Sequence, residues 1–159
     1  MRVSRGTAIA CLLAAGSLVG SIGLAQEGKS EKAVSLKSLP AAVRKTALEQ
    51  SKGATIVGLS KEAGEDGKMV YEVEMKASGR GRDIIIAGDG TLLILEQQVP
   101  MASLPVAVRA TIEKNAGKRK ILLVETVTQA DTLAYYEAQV RDRKAIAEIK
   151  VGRDGQLIR

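Results

Sequence analysis

Apolar and polar positions change their period several times along the chain. Leu39, Val43 and Ala47 recur every four residues with Leu48 beside them, while Arg44, Lys45, Glu49 and Lys52 fall elsewhere. That spacing predicts a helix with one apolar stripe. Ser38 or Leu39 is its expected cap, Pro40 suits the first turn, and Gly53 is the stop signal. The period then drops to two. Thr55, Val57 and Leu59 alternate, and so do Tyr71, Val73 and Met75 against Glu72, Glu74 and Lys76. Each set predicts a strand, the second with one face in the core and the other in solvent. Asp83 to Ala87 and Thr91 to Glu96 read as two further strands. The turns at Glu65-Asp66-Gly67, Ser78-Gly79-Arg80-Gly81 and Gly88-Asp89-Gly90 are short enough for antiparallel hairpins.

The same order returns 65 residues later. Leu39-Pro40-Ala41-Ala42-Val43-Arg44 is matched by Leu104-Pro105-Val106-Ala107-Val108-Arg109, Tyr71-Glu72 by Tyr136-Glu137, and Asp89-Gly90 by Asp154-Gly155. A gapless overlay of residues 39–94 on 104–159 contains 14 identities in 56 positions, which reads as an internal duplication. The second copy is expected to hold a helix from Pro105 to Ala116. Strands follow over Lys120 to Thr128, Leu133 to Arg141 and Lys144 to Gly152, with a short last one after Asp154-Gly155. The expected fold class is α+β: two tandem α-β-β-β(-β) repeats, 38–98 and 103–159, each a helix packed on an antiparallel sheet. A unit of roughly 60 residues is marginal alone, and these cores lack phenylalanine and tryptophan. The copies are therefore expected to support one another, for instance by joining sheets edge to edge.

The N-terminus has a different character. Arg2 and Arg5 precede an apolar run from Thr7 to Leu24, which ends in small residues before Gln26-Glu27-Gly28. This reads as a signal peptide over 1–25, cleaved near Ala25, rather than a retained anchor. Cys11 then lies inside the apolar run and not at a lipoprotein cleavage site. Residues 26–37, polar and mixed in charge, read as a linker. Removal of the signal leaves 22 basic and 18 acidic residues, a net charge of +4, and no cysteine. That mild excess, with tyrosines at 71, 135 and 136 as the whole aromatic complement, argues against nucleic acid as a partner.

A Leu-Pro-x-Ala-Val helix start, a glycine, a Tyr-Glu strand and an Asp-Gly turn before a hydrophobic pair together resemble a PepSY or PepSY-like domain. The matching residues are Leu39, Pro40, Val43, Gly53, Tyr71, Glu72, Val73, Asp89, Gly90 and Leu92. In the second copy they are Leu104, Pro105, Val108, Gly117, Tyr136, Glu137, Asp154, Gly155 and Leu157. The resemblance implies a small exported module with a regulatory or inhibitory role towards peptidases. Tandem members are similar in architecture to beta-lactamase-inhibitor proteins. No peptidase follows in this sequence, so the implied partner is a separate protein. The family has no catalytic residues to carry over.

The chain has no histidine, which removes the common neutral-pH base, the usual zinc ligand and the Ser-His-Asp triad. No enzyme activity and no cofactor or metal are expected. Asp89-Gly90 and Asp154-Gly155 lack the further oxygen ligands of a calcium loop and read as turns. Candidate partner contacts fall in two groups. Arg80 and Arg82 on one hairpin tip, and Arg141, Arg143 and Lys144 on the other, would make a cationic ridge if the copies lie side by side. Glu72, Glu74, Lys76, Tyr135, Glu137 and Gln139 would share one surface if both helices cover the same side of a continuous sheet. The expected function is an exported, non-catalytic module, periplasmic or secreted, inhibiting or positioning a peptidase or another envelope protein. The alternative is an envelope sensor or scaffold for a small molecule, metal ion or anionic polymer.

Overall fold

A computed structural model describes residues 32–64, 66–143 and 145–159. The expected signal peptide and the start of the linker lie outside the described residues. The elements run β1 (Lys32–Ala33), α1 (Ala41–Gln50), β2 (Thr55–Ala63), β3 (Met69–Ala77), β4 (Arg80–Ala87) and β5 (Leu92–Gln98). They continue with α2 (Val106–Ala116), β6 (Lys120–Gln129), β7 (Thr132–Asp142), β8 (Ala145–Gly152) and β9 (Leu157–Ile158). A single 3-10 turn precedes each helix, at Leu36–Ser38 and Met101–Ser103. Part of the expected linker is therefore ordered, since Lys32 and Ala33 pair with Lys61 and Ser60 of β2.

All nine strands form one antiparallel sheet in sequence order. The expected α+β class holds, and the two sheets of the sequence reading are one. The join is β5 against β6, with Ile94 opposite Gln129, Glu96 opposite Val127 and Gln98 opposite Glu125. Each helix is followed by four strands.

Pro40 and Pro105 stand just outside their helices as N-caps, at φ −52° and −53°, and not in the first turn as expected. Their carbonyls accept the first helical bonds, from the N–H of Arg44 and Arg109 at 2.9 and 3.0 Å. The stripe of α1 (Leu39, Val43, Ala47) is buried against Val73, Met75, Ile84 and Ile86. That of α2 (Leu104, Val108, Ile112, Ala116) is buried against Val124, Tyr136, Ala138, Val140, Ile149 and Val151. Tyr71 and Tyr136 lie in these two cores, under the helices as expected.

Strand register shows that both helices lie on the same side of the sheet. Met75 is opposite Arg82, Arg82 opposite Gln97, Gln97 opposite Thr126, Thr126 opposite Tyr136 and Tyr136 opposite Val151. Residues directly across a ladder share a face, so this row connects the two cores. In β2 the expected inward set fails at Val57, which is 55% exposed. A bulge between Ile56 and Gly58 shifts the alternation by one, so Ile56 and Leu59 reach the core instead.

Candidate functional site

The side of the sheet away from the helices carries an apolar island and a set of carboxylates. Ile85, Ile94 and Val127 are buried together there, with Val70 and Tyr135 packed against them. Two rows of acids flank the island. Glu74 of β3 is opposite Asp83 of β4, which is opposite Glu96 of β5. Glu125 of β6 is opposite Glu137 of β7, which is opposite Lys150 of β8. Glu72 lies on the same side, across from Ser60 and Ile85, with the Ser60 hydroxyl 3.4 Å from its carboxylate.

These acids are not the solvated groups that alternation predicts. Glu96 is only 8% exposed and Glu125 only 5%. Desolvation is the main cause that pushes the Glu96 carboxyl up to about 8, with Glu125, Glu137, Asp83 and Glu72 adding repulsion. Desolvation likewise takes Glu125 to about 7, helped by Asp83, Glu137 and Glu148. Asp83 rises to about 6 for the same reason, although the Met75 N–H donates to it at 3.3 Å. Burial and Glu148 also raise Glu137, against the pull of Lys150.

Lys150 is the cation set among these groups. Its Nζ lies 3.5 Å from both Glu137 and Glu148 and 5.5 Å from the centre of the Tyr135 ring. Burial lowers its pKa, but Glu137, Tyr135 and Glu148 together leave it raised. Gln139, opposite Glu148 on the same side, is 7% exposed.

The structure thus brings Glu72, Glu74, Tyr135, Glu137 and Gln139 onto one surface with the exposed Lys76 at its margin. It adds Asp83, Glu96, Glu125 and Lys150, which the sequence reading did not assign to a site. The available signal was their parity: Glu96 is two residues from Ile94, and Glu125 two from Val127.

The hairpin tips are arranged differently from the expected ridge. Both lie at one end of the sheet, but β5 and β6 separate β4 from β7, a gap of about 14 Å at normal strand spacing. Arg80, Arg141 and Arg143 are exposed, and Lys144 of the expected ridge lies outside the described residues. Arg82 is not at the tip surface: it shares the inward side with Ile84 and Ile86, and its Nη2 donates to Gln50 Oε1 of α1 at 3.3 Å. In the Asp-Gly turns, the Thr91 and Gln156 N–H groups donate to Asp89 and Asp154 at 2.9 and 3.0 Å, so these carboxylates close their own turns. Among the described residues no group of three or more acids, cysteines or histidines is placed to hold a metal ion.

The fold has counterparts among solved structures. A BLIP-like protein from Bacteroides fragilis superposes with a TM-score of 0.55 at 15% identity, over 76% of this chain and 84% of that one. A DUF2874 family protein from Bacteroides ovatus gives 0.58 at 13% identity, over 77% and 86%. A protein from Bacteroides eggerthii, assigned provisionally to the periplasm, gives 0.60 at 14% identity, over 76% and 86%. At these identities the likeness is one of fold. No protein-family model matches the sequence, and comparison with curated proteins returned no match.

Proposed function

We propose that this protein is an exported, non-catalytic binding module of two PepSY-like repeats, which docks another envelope protein on the sheet face away from its helices. The observation that carries the reading is the placement of α1 and α2 on one side of a single sheet, which leaves the other side of β2–β8 without a described helix. That surface has an apolar centre and a polar margin, the anatomy of a protein interface. The fold shared with a BLIP-like protein supports a role in binding another protein, and the PepSY resemblance of the sequence makes a peptidase the candidate partner. The basic, apolar and small-residue pattern of residues 1–25 supports export to the periplasm. No helix among the described residues is long and apolar enough to cross a membrane. The repeat reading is supported by matched contacts: Thr46 Oγ1 donates to the Gly90 carbonyl and Thr111 Oγ1 to that of Gly155, each at 2.7 Å.

The test is affinity capture from periplasmic extract followed by crosslinking of the captured complex. Crosslinks from Lys76 and Lys150 to a reproducible partner are expected. Capture of no partner, or crosslinks confined to the helices and the Arg141–Arg143 tip, would overturn the reading.

A further inference from the structure

The face has a chemical bias that the net charge of the protein hides. The whole chain is basic, yet Glu74, Asp83, Glu96, Glu125 and Glu137 converge on this side, and Lys150 is already shared between Glu137 and Glu148. Glu96 and Glu125 are only 8% and 5% exposed, yet Arg82 Nε alone is a fully buried side-chain polar atom without a hydrogen-bond partner among the described residues, so both carboxylates remain within reach of solvent or a partner. Gln139, an uncharged group on the same face, is 7% exposed. The carboxylates gathered on this face give it a negative potential that complements a cationic partner.

Resting on the docking reading above, we propose that the partner inserts a basic segment, with Lys or Arg side chains directed at Glu96 and Glu125 and apolar side chains on Val70 and Tyr135, the half-buried margin of the Ile85–Ile94–Val127 island. Two observations favour a protein segment over a small polycation. The acids extend from β3 to β8, about 24 Å at normal strand spacing, and they are interrupted by the apolar island, which offers a free polyamine nothing. A segment alternating basic and apolar residues matches both parts. Guanidinium or ammonium donors would satisfy the carboxylates and, by favouring their charged form, offset the desolvation that now raises both groups.

The test uses the purified protein and three probes: an extended peptide of alternating lysine and leucine, its glutamate–leucine counterpart, and spermine. Binding is read by isothermal titration at physiological salt. The basic peptide is expected to bind, and Glu96→Gln with Glu125→Gln to weaken it about tenfold or more. Gln is nearly isosteric, and a thermal melt checks that the double variant is folded. As a control for general electrostatic attraction, Glu49→Gln with Glu113→Gln on the exposed helix surfaces is expected to leave the affinity unchanged. Equal binding of the basic and acidic peptides, no effect of the face variant, or spermine binding as tightly as the peptide would each overturn the inference. A captured partner that crosslinks to Lys150 through an acidic or neutral segment would also overturn it while leaving the docking reading intact.

Discussion

Glu125 and Glu137 stand directly opposite one another on β6 and β7, on the side of the sheet away from the helices. Like charges in that relationship repel, and here both groups are also largely withdrawn from water. Burial first raises the pKa of both carboxyls, with Asp83, Glu137 and Glu148 adding repulsion at Glu125 and Glu148 at Glu137, and protonation relieves these costs. Stability should follow. In the unfolded chain these glutamates ionise near 4.5, whereas in the fold Glu125 and Glu96 keep their protons to about 7 and 8. Across that window the native state binds more protons than the unfolded one, so stability falls as pH rises. The melting temperature should decline steadily between pH 5 and pH 8. A flat or rising profile would show that the carboxylates are ionised and paired.

Glu96→Gln removes the carboxyl that burial pushes up to about 8. At pH 8 the variant should be more stable than the parent by roughly 2 kcal/mol, given about 1.4 kcal/mol per pKa unit and a shared cluster. At pH 5, where the parent glutamate is protonated, the two should melt together. Denaturant titration at both pH values checks this, and an equal gain at pH 5 would point to packing instead of charge.

Thr46 and Thr111 tie the helices to the Asp-Gly turns through bonds of 2.7 Å to the Gly90 and Gly155 carbonyls. Thr46→Val and Thr111→Val should each cost about 1 kcal/mol and should be close to additive, because they act on separate cores. Gly90→Ala should cost more. Gly90 sits at φ +92°, and a Cβ there would come within 2.9 Å of Ala42 backbone. Chemical denaturation of the three variants ranks them, and a Gly90→Ala cost below that of Thr46→Val would contradict the geometry.

Much of this was legible in the sequence because the signals were local. The four-residue spacing of Leu39, Val43 and Ala47 and the alternation of Tyr71, Val73 and Met75 each declare the side that is buried. Arg82 already shared the phase of Ile84 and Ile86, although its charge and its position near a turn suggested a tip. The β5–β6 join was not legible, because it pairs segments whose connection runs through α2, and neither strand edge announces its partner. The bulge at Val57 was hidden because the backbone, not the side chains, decides it. The acidic face was legible in part: Glu72, Glu74 and Glu137 were expected on it, whereas Asp83, Glu96 and Glu125 were missed for a related reason. A glutamate on a strand normally marks the wet side, and only register across β3 to β7 reveals that these acids gather and lose their water.

Arg82 and the exposed tip arginines separate stability from binding. Arg82 has a buried Nε without a hydrogen-bond partner among the described residues and bonds α1 through Gln50. Arg82→Ala should lower stability by about 1 kcal/mol through lost packing and the lost bond, with no effect on partner capture. Arg80→Ser, Arg141→Ser and Arg143→Ser should change stability by less than about 0.5 kcal/mol. Capture should persist in all of them, and its loss in the triple tip variant would move the binding surface to the hairpin ends.

The β6–β7 hairpin holds a strain that can be relieved. Gln129 pairs with Thr132, so Ala130 and Asp131 form a two-residue loop. Both adopt positive φ, 45° and 59°, the handedness that matches strand twist but disfavours residues with a Cβ. The β3–β4 loop meets the same demand with Gly79 at its second position, at φ 79°. Asn-Gly is the favoured pair for this geometry. Ala130→Asn combined with Asp131→Gly should raise stability by about 1 kcal/mol, the relief of left-handed strain outweighing the extra freedom that glycine gives the unfolded chain. The loop adjoins a shallow crevice of about 20 Å³ beside Leu92, Leu93 and Thr128, about the space of one water molecule. A rise in melting temperature with unchanged partner capture is expected. A fall would mean that Asp131 contributes more through its side chain than its backbone conformation costs.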